Sequence, residues 1–185
     1  MLTSAEIARS FRGVIALFMG KAEGLKLLDR SVDGFWRSFA VIVLLLPFSA
    51  VNVLAVIRLG GSGDNFSQLF FRQLPVLGLD WIAFPLAMAA AAKPLGVSAN
   101  YVTFVVARNW AAPICAAVVT VPYLLQGAGW VPAEGAALLS LIAFLVVIWY
   151  DYVIIRLTLR APVSITAGLV IADLLLSLLI FSLFQ

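Results

Sequence analysis

Apolar residues in this chain gather into blocks instead of alternating with polar ones. Five blocks approach the ~20 residues that a helix needs to cross hydrocarbon: Ser38–Ile57, Leu74–Ala92, a stretch over 101–125, Gly135–Leu157 and Val163–Phe184. Pro47 and Asn52 interrupt the first block and Pro85 the second, irregularities that a membrane helix tolerates. The third reads in two ways. It is one kinked span, with Arg108 and Asn109 before Pro113, or a short interfacial helix followed by a span from Trp110. Turn formers separate the blocks: Gly60, Gly61, Gly63 and Asp64 in a loop over 58–73, Lys93–Pro94, Gly127, Gly129 and Pro132, and Arg160–Ala161–Pro162. Phe66, Phe70 and Phe71, near helical spacing, would touch the interface beside that first loop.

Ahead of the blocks the pattern changes. Over residues 3–22, Ile7, Phe11, Val14, Ile15, Phe18 and Ala22 recur at helical spacing, with Glu6, Arg9 and Arg12 off the stripe. Thr3 and Glu6 have the spacing of a capping box. Such a helix either lies in the headgroup plane or packs on its own protein. Leu25, Leu28, Val32 and Phe35 suggest a further short helix that Gly34 would break, and Trp36 and Arg37 mark an interface. The pattern therefore predicts an all-α polytopic membrane protein. Residues 1–37 form a cytoplasmic amphipathic or interfacial segment, and residues 38–185 a five-helix transmembrane domain.

Composition agrees. Hydrophobic residues make up 64% and charged residues 11%, against roughly 25% charged in soluble domains, and the mean hydropathy is +1.11. No short apolar core followed by a small-residue cleavage site marks a signal peptide. Cys115 is the single cysteine and reads as a small core residue. The chain has no histidine, which removes His relays, Ser-His-Asp triads and His-ligated metals. No cofactor is implied, and the basic residues are too scattered for a nucleic-acid surface.

Charge placement predicts orientation. Five spans put the two ends on opposite sides. With the amino terminus inside, Arg9, Arg12, Lys21, Lys26, Arg30, Arg37, Lys93, Arg108, Arg156 and Arg160 fall on the cytoplasmic side, and only Arg58 and Arg72 on the other. That bias predicts a cytoplasmic amino terminus and a far-side carboxyl terminus, in an inner or plasma membrane.

Three charges sit inside spans: Arg108 in the third, Asp151 within Trp149–Tyr152 in the fourth, and Asp173 in the fifth. At ~1.5 Å per residue, each lies roughly 10–15 Å from the cytoplasmic end of its span, so the three are expected to meet. Asn109 and Arg156 are candidate members of this cluster. Arg156 is a poor intrahelical partner for Asp151, because it is off the i+3/i+4 face. The cluster is either an ion-pair lock on spans 3, 4 and 5 or a proton, ion or headgroup site. Asp80 is expected in the outer half of span 2, apart from the cluster.

Two stretches carry a family resemblance. Phe104–Pro113 (FVVARNWAAP) and Trp149–Ile171 (WYDYVIIRLTLRAPVSITAGLVI) resemble, in the bacterial branch of the Yip family, a helix running into a small-residue–Pro step and the last two spans with their short linker. The resemblance covers about residues 35–185. It implies five spans and a membrane-organising or trafficking role without catalysis.

The expected function is thus that of a non-enzymatic multi-pass membrane scaffold. Its partners would be the lipid bilayer, other membrane proteins or further copies of itself. Ala87 and Ala89–Ala92 of span 2 would permit close helix approach. The alternative is a small transporter, channel or transporter subunit using Arg108, Asp151 and Asp173, although no inverted repeat is visible. Without histidine or a defensible nucleophile–base spacing, an intramembrane enzyme is the weakest reading.

Overall fold

The computed structural model describes residues 3–60 and 65–184, so Gly61, Gly63 and Asp64 of the first loop lie outside the described residues. The elements are α1 (Ser4–Phe18), α2 (Val32–Phe39), α3 (Leu46–Arg58), α4 (Phe66–Ala91), α5 (Tyr101–Gly127), α6 (Ala133–Leu159) and α7 (Val163–Leu183). Short 3-10 segments cover Ala22–Leu27, Ala40–Leu45 and Ser98–Asn100, and no strand occurs among the described residues. Five helical stretches are long and apolar enough to cross a membrane. The protein is an all-α polytopic membrane protein with an amphipathic helix at its amino terminus.

The first span runs from Val32 to Arg58, built from α2, a 3-10 segment and α3. Gly34 does not break it. Ser31 caps α2 by accepting from the Gly34 N–H at 3.0 Å, and a Cβ at Gly34 would come 2.6 Å from the Asp29 side-chain carbon Cγ. The glycine admits the preceding chain. The helix therefore begins before Ser38, and the boundary expected at residue 37 falls inside it.

The second span also starts early. Asn65 and Gln68 form a reciprocal capping box, with bonds of 3.0 and 3.1 Å, and the helix runs from Phe66. Residues 66–73, expected as loop, are its first two turns. Pro75 lies within its first three turns and Pro85 deeper inside. The third span is a single helix from Tyr101, carrying Pro113 and Pro122. That settles its two readings in favour of one continuous span.

α5 is the hub. It packs most extensively on α6 and also touches α1, α2 and α3. Around it the neighbours close a ring: α3 on α4, α4 on α7, α7 on α6 and α6 on α5. Direct contact between α4 and α5 is slight, so α4, α5, α6 and α7 surround a space. Large buried side chains of the core include Phe104, Trp110, Tyr150 and Met88.

α1 is docked on α5 and α6. Thr3 caps it by accepting from the Glu6 N–H at 3.2 Å. The Glu6 carboxylate accepts from Arg37 Nε at 3.1 Å, and Arg37 also donates to Asp29. Hydrogen bonds from Ser31, aided by Arg37, hold the Asp29 carboxyl below its ordinary value. The buried face of α1 is Glu6, Ser10, Gly13, Val14 and Leu17, rotated from the expected stripe. Small residues set this face. A Cβ at Gly13 would sit 2.9 Å from the Gly24 carbonyl, so the two glycines let the 3-10 segment lie flat on the helix. Ile7, Phe11 and Phe18 are half-buried at its edge, Ile15 is exposed, and Ala22 lies beyond the helix. Rings complete the docking: Phe11 on Trp110 and Phe18 on both Trp149 and Tyr150.

Candidate functional site

Arg108 and Asp173 meet. One guanidinium nitrogen of Arg108 donates to both carboxylate oxygens of Asp173, at 2.7 and 2.8 Å, tying α5 to α7. Each side chain keeps 14% exposure. The guanidinium also lies over the Phe84 ring of α4, 5.1 Å from its centroid. A flat cation held at its edge by a carboxylate and on its face by a ring has little freedom to move.

The pair lines a cavity of about 230 Å³ walled by four helices. α4 contributes Asp80. α5 contributes Arg108, Ala111, Ala112 and Cys115. Val147, Tyr150, Asp151 and Ile154 come from α6, and Asp173 and Ser177 from α7. The expected cluster of Arg108, Asp151 and Asp173 thus shares one space. Asp151, however, forms neither an ion pair nor a hydrogen bond among the described residues.

Asp80 belongs to this site, contrary to its expected place in the opposite half of the membrane. Ser177 Oγ donates to Asp80 Oδ1 at 2.6 Å, and Ser177 is one turn beyond Asp173. The correction follows from the longer α4. With the helix starting at Phe66, Asp80 is near its middle, roughly 16 Å from its Ala91 end. That matches the ~15 Å depth of Asp173. The capping signal Asn65–Gln68 would have placed it. Ser177 and Cys115 were also missed. Both fall in apolar helix, and only the i, i+4 spacing of Asp173 and Ser177 points to a shared face.

Two expected members face elsewhere. Asn109, one position and therefore about 100° round α5 from Arg108, is fully buried. Its Nδ2 donates to Ser38 Oγ at 2.9 Å, so it joins α5 to α2. Arg156 donates to the Ala161 carbonyl at the end of its own helix, where Arg160 takes a left-handed φ of 54°. Asn100 Nδ2 donates to the neighbouring Leu159 carbonyl at 3.3 Å. The Asn100 bond satisfies a carbonyl at the helix end that lacks an intrahelical partner, and the Arg156 bond ties the helix to the linker just past its cap. Neither residue is part of the cavity.

One wall residue leads out of the site. The Tyr150 ring borders the cavity, and its hydroxyl donates to the Val14 carbonyl of α1 at 2.7 Å. Helix α1 is therefore bonded to the same α6 turn that carries Asp151.

Chemically, the cavity holds three carboxylates against one guanidinium. Among the described residues no three acidic or thiol groups converge as they would around a metal ion. Asp173 is occupied by Arg108 and Asp80 by Ser177, which leaves Asp151 open to the space. A carboxylate in that position can take up a proton or face a small cation.

Comparison of the chain with family models, curated proteins and solved structures gave no match.

Proposed function

We propose that this membrane protein is a small transporter or transporter subunit whose four-helix cavity takes up a proton or a small cation. The observation that carries this reading is the unmatched Asp151. A structural ion-pair lock satisfies its charges, because an uncompensated charge away from water costs several kcal/mol. Here one carboxylate has no hydrogen-bond or ion-pair partner among the described residues and opens onto a cavity of about 230 Å³. In this role Asp151 is the exchanging group. Arg108 and Asp173 form its fixed electrostatic wall, and Asp80 with Ser177 continues the polar lining. With the amino terminus in the cytoplasm, as the basic residues favour, Asp151 is on the order of 10 Å from the cytoplasmic end of its helix. The role is non-catalytic.

The test is flux in vesicles containing the purified protein and an internal pH or cation indicator. An imposed gradient is expected to dissipate faster than in empty vesicles, and Asp151→Asn to abolish the difference while leaving the fold intact. Equal dissipation in empty and protein-containing vesicles would overturn the proposal, as would full activity in Asp151→Asn.

A second reading, the membrane-organising role that a Yip-type protein implies, is favoured by a different observation. Ala87, Ala89 and Ala90 of α4 are exposed, on a helix packed chiefly on α3 and α7. Small exposed residues admit a close-packed helix from another protein or copy. Under this reading Ala87→Leu and Ala90→Leu together would abolish co-purification of a membrane partner or crosslinked dimer.

A further inference from the structure

A second hollow lies at the opposite end of α5. Where α3 and α5 finish, a groove of about 290 Å³ is lined by Val51, Leu54, Ala55, Tyr123 and Leu124, with Arg58 at its rim. Its floor is the close approach of the two helices: a Cβ at Gly127 would lie 3.9 Å from the Ala55 side chain. Both walls belong to the last turns of stretches apolar enough to span a membrane, Val32–Arg58 and Ser98–Gly127. The groove therefore opens toward hydrocarbon along its length and reaches the headgroup layer at its end.

Arg58 is the final residue of α3, exposed, with no ion pair or hydrogen bond among the described residues. Tyr123, also partly exposed, has no hydrogen-bond partner for its hydroxyl among them. An unpaired guanidinium and a phenol thus stand above an apolar trough. A guanidinium binds phosphate oxygens through paired N–H donors, and this bond strengthens as the surroundings dry.

The lining limits the occupant: an apolar trough between two membrane-spanning stretches with a guanidinium at its rim suits an apolar chain that ends in an anion. An extended hydrocarbon chain supplies the apolar contact that the walls require. We propose that the groove binds one acyl chain of an anionic phospholipid, with the headgroup phosphate on Arg58 and the Tyr123 hydroxyl. This site is independent of the polar cavity.

Native mass spectrometry of the full chain in mild detergent, titrated with phosphatidylglycerol or phosphatidylcholine, tests it. The expected result is one retained phosphatidylglycerol, held in preference to phosphatidylcholine. Arg58→Gln lowers phosphatidylglycerol retention about tenfold, the scale of one charged hydrogen bond, whereas Arg58→Lys retains most of it. Gly127→Leu fills the groove and weakens both lipids alike. Equal retention of the two lipids by the parent protein would overturn the proposal. Unchanged phosphatidylglycerol retention in Arg58→Gln, or loss in Arg58→Lys as complete as in Arg58→Gln, would do the same.

Discussion

The Arg108–Asp173 pair supplies the sharpest energetic prediction, because its two halves are not equivalent. Arg108→Met leaves Asp80, Asp151 and Asp173 in one cavity with no cation among them. Asp173→Leu leaves Arg108 in the same cavity as two other carboxylates. Breaking a buried pair by removing one partner costs ~3–5 kcal/mol. Both side chains retain 14% exposure through the cavity, so water offsets part of this loss, and ~2–3 kcal/mol is expected for Arg108→Met. Asp173→Leu is expected to cost less, about 1–2 kcal/mol, since the guanidinium keeps carboxylate neighbours and the Phe84 ring. The double substitution removes both charges and replaces them with apolar volume, so its cost should fall below the sum of the singles by ~2 kcal/mol. The assay is reversible unfolding in mixed micelles at rising SDS fraction, followed by tryptophan emission. Asp151→Asn is the internal control: with no hydrogen bond or ion pair to lose among the described residues, it should stay within ~0.5 kcal/mol of the parent or exceed it. Additivity of the two singles within ~0.5 kcal/mol would refute the reasoning, as would a larger loss for Asp151→Asn than for Asp173→Leu.

Three further outcomes follow from the docking of the amino-terminal segment. Tyr150→Phe deletes the bond to the Val14 carbonyl at 2.7 Å. It should lower stability by about 0.5–1.5 kcal/mol and raise proteolytic cleavage near Lys21 and Lys26, with cleavage near Lys93 unchanged as the control. Gly34→Ala places a methyl group 2.6 Å from Asp29 Cγ, so the chain before α2 must move, at roughly 1–3 kcal/mol; unaltered thermal stability in detergent would count against that packing. Asp29 has a folded value below its ordinary one, through Ser31 first and Arg37 after it. Its contribution is therefore complete above the unfolded value of 3.8 and lost as pH falls through the lower folded value. Parent and Asp29→Asn melting curves should differ at pH 6, and the gap should close as pH falls from 3.8 through the lower folded value; a gap that persists at low pH would assign the stabilisation elsewhere.

The spans were legible because hydrocarbon imposes a length and a composition that few soluble helices share. Depth was legible wherever the helix end was marked, which is why Arg108 and Asp173 could be placed together from rise per residue alone. Asp80 failed for the same reason in reverse. The glycines near residue 60 suggest a loop longer than the capping box at Asn65 allows, which shortens the helix at that end and puts Asp80 in its outer half instead of near its middle. Which neighbour faces which was not legible. Asn109 adjoins Arg108 in sequence yet bonds Ser38 on a different helix, since azimuth depends on how the ring of helices closes. The docking of α1 was also hidden. Val14 belongs both to the apolar stripe and to the buried face, but Glu6, Ser10, Gly13 and Leu17 are buried where Ile15 is exposed, because the close approach at Gly13 and the ion pair to Arg37 outweigh burial of Ile15. Asp151 is legible in the sequence as a charge inside an apolar span. Only the arrangement of α4 to α7 reveals that it is the carboxylate left over once the others are paired.

The proposed role of Asp151 requires the space around it to be a water-accessible cavity inside the bundle, and Cys115 provides a native probe of it. This single cysteine lies on the cavity wall with Arg108 and Asp151. A small water-soluble methanethiosulfonate and a lipophilic maleimide can be compared on intact membranes. Leu175→Cys, exposed on the outer face of α7, serves as the lipid-facing reference in a Cys115→Ala background. Cys115 should react with the water-soluble reagent at least about tenfold faster than Cys at position 175, after each rate is divided by that for the lipophilic reagent, a gap of ~1.4 kcal/mol in access. The same ratio at both positions would contradict the account, since the cavity would then be closed to water and Asp151 sealed among helices.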